Sequence, residues 1–210
     1  MTRPSAARAL LLALLPVAFA LAACDSGGGS EADVNNQFSF TITPVASSSN
    51  ALQKQSPKDL NGYSFFVDTD DIAEVDDEAF VIYFNGNESF SEENATSGLF
   101  GFAARNSGQP ETGTFAITDG GDGSRSPSEF LAWLYEDVGN AQRAPHYLFQ
   151  RGTLSLSTSN DEEVSGQLSG TAIEYRTTSS GIQTDTVEVS GSFTAKDLDT
   201  YVPFGRYAGN

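Results

Sequence analysis

Val187-Glu188-Val189-Ser190-Gly191-Ser192-Phe193-Thr194-Ala195 alternates without a break. Val187, Val189, Phe193 and Ala195 fall on one side, with Gly191 in the same series. Glu188, Ser190, Ser192 and Thr194 fall on the other. A repeat of two residues is the side-chain period of a strand with one face buried. Upstream, Thr153 to Thr158 places Leu154 and Leu156 inward, whereas Tyr147 and Phe149 have the opposite parity. The phase therefore slips near Arg151-Gly152, and a β-bulge supplies a slip of one residue. Val164 and Leu168 are followed by Ile173 and Tyr175, out of phase again, with Gly170 between them. The turn signals Ser159-Asn160-Asp161 and Ser179-Ser180-Gly181 separate these runs. The pattern predicts an antiparallel meander over residues 147–157, 163–175 and 184–195.

The same period runs through the first half. Phe38, Phe40 and Ile42 alternate with Ser39, Thr41 and Thr43, and Leu60 to Val67 sets Tyr63, Phe65 and Val67 on one face. Ala79 to Phe84 is apolar on both faces and reads as a central strand. Leu99 to Ala104 and Gly113 to Thr118 follow, the latter with Phe115 and Ile117 on one side. Phe130 to Glu136 is open to two readings. Ser126-Pro127-Ser128-Glu129 has the form of a helix capping box, with Gly139 as a stop. The aromatic run equally fits a strand buried on both faces, and strand neighbours favour that reading. The expected fold is all-β: a single antiparallel β-sandwich or partly open barrel of about eight or nine strands, with at most one short helix.

Composition narrows the function. The chain has 210 residues, 11 Lys+Arg against 28 Asp+Glu, a formal net charge of −17, one Cys and one His. One Cys and one His cannot build an internal disulfide, a Cys-rich zinc site or a His-cluster metal site. So negative a chain is repelled by nucleic acid. The only lysines are Lys54, Lys58 and Lys196. This acid-rich, lysine-poor composition resembles that of proteins from salt-loving bacteria, and it equally suits an envelope protein kept soluble by charge.

Arg3 and Arg8 form a positive n-region, Ala9 to Ala20 an apolar run broken by Pro16, and Leu21-Ala22-Ala23 a small-residue cleavage site. The run is too short for a comfortable membrane span of about 20 residues. Leu21-Ala22-Ala23-Cys24 resembles a bacterial lipobox, and the chain's single Cys stands where that motif requires it. The resemblance implies removal of residues 1–23 as a lipoprotein signal peptide. It also implies lipidation of Cys24 with diacylglycerol and an N-acyl chain of the palmitate class. Two or more chains anchor stably, since each buried methylene contributes about 0.8 kcal/mol. Residues 24–36, Gly-rich and polar from Asp25 on, read as a flexible tether. Residues 37–201 are expected to form the all-β domain and 202–210 a tail. The C-terminal pieces Gly152-Thr153-Leu154-Ser155-Leu156, Val164-Ser165-Gly166-Gln167-Leu168 and Val187 to Phe193 resemble uncharacterised β-rich envelope lipoproteins of bacteria. That resemblance implies a fold type and no activity.

Little in the sequence points to catalysis. His146 is the only imidazole, no G-x-S-x-G elbow exists, and Cys24 is taken by the anchor. The run Asp68, Asp70, Asp71, Glu74, Asp76, Asp77 and Glu78 is acidic enough for calcium. As an EF-hand it fails at Ile72, Ala73 and Ala79. Asp68, Asp70 and Asp71 are its weak metal candidates, and no cofactor is expected. Gly120-Gly121-Asp122-Gly123-Ser124 is half of a Gly-rich calcium repeat, broken by Arg125. Trp133, Tyr135 and Tyr147 could make a carbohydrate platform, although Trp133 reads as core. The resulting expectation is a lipid-anchored protein of the bacterial cell envelope, seated in the outer membrane. Asp25, beside Cys24, would retain an enteric lipoprotein in the inner membrane. The domain reads as a non-catalytic binding module for an unknown protein or glycan. The alternatives are a carboxylate-based hydrolase of envelope glycans and a purely structural lipoprotein. A hydrolase needs at least two acids in one concave, partly apolar cleft.

Overall fold

A computed structural model describes residues 36–45, 56–68, 79–87, 98–119, 126–140 and 142–198. The lipobox at Leu21, Ala22, Ala23 and Cys24 lies outside them, as do Asp70, Asp71 and the Gly120–Ser124 segment. Nine strands follow in order: β1 (Gln37–Pro44), β2 (Lys58–Asp68), β3 (Phe80–Asn85), β4 (Phe100–Arg105), β5 (Gly113–Thr118), β6 (Leu131–Tyr135), β7 (His146–Ser159), β8 (Glu163–Thr178) and β9 (Gly181–Asp197). Around the sheet the neighbours run β7-β6-β4-β3-β2-β1-β9-β8, and β8 returns to β7. Eight strands thus close a barrel, which settles the choice between sandwich and barrel. β5 is the extra strand. It pairs with Arg151–Leu156 of β7, beyond the His146–Leu148 stretch that β6 occupies. Neighbouring strands are antiparallel. A short parallel contact joins Ser64–Phe66 to Ala195–Asp197, just beyond the first residue of β1. Among the described residues no helix is long and apolar enough to cross a membrane.

The meander is as expected and longer. The β7–β8 register shifts between Phe149 and Arg151, which makes Gln150 the bulged residue and brings both Phe149 and Leu154 inside. Gly152 and Gly170 face each other beside this bulge, and a Cβ on Gly170 would lie 2.9 Å from the Gly152 Cα. In the Ser159-Asn160-Asp161 turn, Asn160 Oδ1 accepts from the Glu162 and Glu163 amides at 3.0 and 2.9 Å. The expected second slip, in β8, does not occur. The β8–β9 register is unbroken from Glu163↔Lys196 to Thr178↔Gly181. Ala172 and Glu174 therefore continue the inward series of Val164 and Leu168, and Ile173 and Tyr175 face outward.

Residues 131–135 are a strand. The capping-box residues still interact, but around a turn: the Ser126 amide donates to Glu129 Oε2 at 3.0 Å, and the Glu129 amide to the Ser126 carbonyl at 2.9 Å. The only helical element among the described residues is the 3-10 turn Val138–Asn140.

Eight strands enclose a space that side chains can fill, and here phenylalanine fills it. Phe38, Phe40, Phe84 and Phe193 form a cluster of tilted and edge-on rings with centroids 4.9–5.7 Å apart. Such pairs add about 0.5–1.5 kcal/mol each beyond area burial. Gly191 leaves room for this cluster, because a Cβ there would lie 2.7 Å from Phe40 Cδ1. A second apolar cluster lies on the outside of β2, β3 and β4, built on Phe65, Val67, Tyr83 and Phe100. The Tyr63, Phe65 and Val67 series of β2 therefore faces this outer cluster, while Leu60 and Phe66 supply the barrel core.

Candidate functional site

Because phenylalanines fill the middle of the barrel, a ligand can enter only at an end or lie outside. At one end the inward series turns polar. Lys58 begins β2 in the inward phase of Leu60, Glu174 and Arg176 continue the inward phase of β8, and Tyr147 opens that of β7. Ile42 and Pro44 of β1 and Val187 of β9 complete an apolar wall. The β6–β7 connection adds Glu136, Arg143 and Pro145. That connection is pinned: the Gly98 amide donates to Asp137 Oδ1 at 3.0 Å, and the Val138 amide to the Gly98 carbonyl at 2.8 Å. The Glu136 amide donates to the Pro145 carbonyl at 3.0 Å. The result is a pocket of about 360 Å³ at the barrel mouth.

Its polar groups are linked. Tyr147 is 2% exposed, and its hydroxyl donates to Glu136 Oε1. Lys58 Nζ donates to the other oxygen, Glu136 Oε2. Glu174, 6% exposed, accepts both Nε and Nη2 of Arg176 on Oε1. Lys58 is half exposed, so its ion pair contributes at most about 1 kcal/mol. The buried Glu174 is different: without Arg176 its desolvated charge would be strongly destabilising. Burial, then the Glu136 hydrogen bond, push the Tyr147 phenol far above its ordinary range. In a chain with more than twice as many acids as bases, the described lining holds three cations, Lys58, Arg143 and Arg176, against Glu136 and Glu174.

His146 lies elsewhere. It is stacked between Tyr135 and Tyr175 on the outer face, with ring centroids 5.4 and 5.1 Å away, and Trp133 stacks on Tyr135 at 5.3 Å. Burial pulls its imidazole below the ordinary range, more than a backbone hydrogen bond with Ala144 raises it. Among the described residues no carboxylate orients the imidazole. Trp133 and Tyr135 are thus on the outer face and Tyr147 inside, and the three do not form one platform.

Asp68 sits at the far end of β2, where its Oδ2 accepts the Gln109 amide at 2.6 Å. It also faces Arg105, whose guanidinium lies 5.6 and 5.8 Å from the Phe115 and Phe130 ring centres. Asp68 therefore serves this buried cation and the 106–110 loop. Among the described residues no three His, Cys, Asp or Glu side chains gather as a metal site.

Sequence reasoning missed the mouth. Its only signal was polar residues, Glu174 and Arg176, in phase with Leu168 and Ala172, and the apolar Ile173 and Tyr175 masked it. Comparison of the chain with protein-family models, with curated proteins and with solved structures gave no match in any of the three.

Proposed function

We propose that this chain is a lipid-anchored lipoprotein of the bacterial envelope whose barrel is a non-catalytic binding module. Cys24 would carry the anchor, with the outer membrane as its seat. The observation that carries the binding reading is the pocket at the barrel mouth. The core is filled, yet this end is concave, partly apolar and lined with convergent charged groups, the usual form of a small-ligand site.

Two measurements test the two halves. Wild type should incorporate a palmitate analogue and enter the detergent phase, and Cys24→Ser should remain soluble or uncleaved. Equal partitioning of the two would reject the anchor. Thr177 stands exposed on the pocket rim. Thr177→Trp should close the mouth without touching the core. Mass spectrometry of small molecules retained from envelope extracts should find a species held by wild type and lost in Thr177→Trp. Identical profiles would reject the binding module.

One observation favours a second reading, a carboxylate hydrolase of envelope glycans: Glu136 and Glu174 share this cleft. Such enzymes use one carboxyl as proton donor. Here both carboxylates accept hydrogen bonds, from Lys58 and Tyr147 on one side and from Arg176 on the other, which favours binding. Glycan cleavage abolished by either Glu136→Gln or Glu174→Gln would reverse that order.

A further inference from the structure

We infer that the barrel mouth takes a hydroxylated monocarboxylate of the sugar-acid class, its carboxylate on Arg143 and a hydroxyl on Glu174; this rests on the binding-module reading above. The argument begins with the bonds already made. Both oxygens of Glu136 are engaged, one by Tyr147 and one by Lys58. Glu174 uses Oε1 for Arg176, and its Oε2 accepts no hydrogen bond from a described residue. Glu174 is more than nine-tenths buried yet lines the pocket, so this oxygen can accept a donor from there. A ligand hydroxyl supplies one.

Arg143 is the complement. Its backbone is fixed by a bond from its amide to the Asn140 carbonyl at 2.8 Å, and its guanidinium has no hydrogen bond or ion pair with any described residue. A guanidinium fork matches a carboxylate in geometry as well as charge. Among the described residues the lining holds three cations and two anions, a balance that a monoanion fits better than a dianion. Ile42, Pro44, Pro145 and Val187 offer an apolar wall for the carbon-bound hydrogens of a ring. The volume is near the lower end of the usual ligand range, roughly 300–1,000 Å³, which suits a ligand of one or two rings.

The test is calorimetry on the full lipidated chain in detergent. The probes are glucuronate, its methyl glycoside, gluconate and glucose. Glucuronate should bind at least about tenfold more tightly than glucose, the scale of one charge-assisted hydrogen bond. Arg143→Gln should remove that preference without shifting the melting temperature, because Arg143 is exposed and outside the core. Glu174→Gln should weaken glucuronate and glucose alike. The methyl glycoside matching glucuronate would point to the end of an acidic glycan, and gluconate matching it to a free hydroxy acid. Glucose binding as well as glucuronate, or Arg143→Gln keeping the preference, would overturn the inference. A neutral extract ligand lost in Thr177→Trp would do so too, while leaving the binding module standing. No binding of any probe, together with identical extract profiles, would overturn both.

Discussion

Tyr147 and Glu174 are opposite each other in the β7–β8 ladder, and both side chains point into the barrel. Just below them on the same strands, Phe149 faces Ala172, and both are fully buried. One ladder step thus separates the apolar filling from the polar mouth. A phenol and a carboxylate are tolerated there because each has its partner, Glu136 for Tyr147 and Arg176 for Glu174.

The first prediction concerns alkaline pH. The Tyr147 phenol stays protonated in the folded chain well beyond its ordinary value near 10. The unfolded chain therefore loses this proton first. The associated stability is complete below about pH 10 and lost above it, at roughly 1.4 kcal/mol per pH unit. Denaturation in urea at about pH 9 and pH 11 should show a steeper fall for wild type than for Tyr147→Phe. Parallel slopes would mean that the phenol is open to solvent.

The second concerns mild acid. His146 is the chain's only histidine, and burial holds its folded pKa below the ordinary 6.5. The unfolded chain takes up this proton first as pH falls, so stability is present above about 6.5 and drops below it. His146→Phe keeps a ring between Tyr135 and Tyr175 and removes the proton. Its melting temperature should overtake that of wild type between pH 7 and pH 5. An NMR titration of His146 with an ordinary midpoint would refute the argument.

How far the sequence reached follows from where each face points. The meander was legible because Val187, Val189 and Phe193 alternate with polar residues that meet water. The bulge at Gln150 was legible because Phe149 and Leu154 both had to be inside. The turn at residues 126–129 carried a helix signal because a capping box needs only a turn for its bonds. β8 misled for a physical reason. Binary pattern assumes that the apolar face is the inner one, but Ile173 and Tyr175 face outward, Tyr175 stacked on His146, while Glu174 and Arg176 line the mouth. In β2 the apolar face read from Tyr63, Phe65 and Val67 is likewise the outer one. Lys58 lies far in sequence from Glu136 and Arg143, which share the β6–β7 connection, and barrel closure brings the two stretches together.

The third prediction concerns the core. Phe193 is 3% exposed and packs edge-on against Phe84 at 5.7 Å. Phe193→Ala should cost about 3–5 kcal/mol. Gly191→Ala, which forces a methyl against the Ser39 carbonyl and the Phe40 ring, should cost about 1–3 kcal/mol by overpacking. Ser190→Ala, exposed on the same strand, should lie within about 0.5 kcal/mol of wild type. Urea midpoints of the three variants check this order, and a Phe193→Ala loss under about 1 kcal/mol would break the β9 register.

The last prediction concerns salt. With a net charge of −17, the chain repels itself, and three of its few cations are committed. Lys58 and Arg176 serve carboxylates at the mouth, and Arg105 lies between two rings. Repulsion between exposed charges fades as the Debye length shortens from about 10 Å at 0.1 M to about 3 Å at 1 M salt. The same screening weakens the Lys58–Glu136 pair, but that pair is half exposed and contributes little. Repulsion dominates, so the melting temperature should rise with NaCl and equally with KCl. Asp68 already accepts the Gln109 amide and faces Arg105, so calcium at low concentration should add nothing beyond its ionic strength. Thermal melts at fixed pH in the three chlorides decide. A melting point flat in monovalent salt would refute the repulsion argument, and a saturable rise with calcium alone would establish a metal site that includes the acids after Asp68.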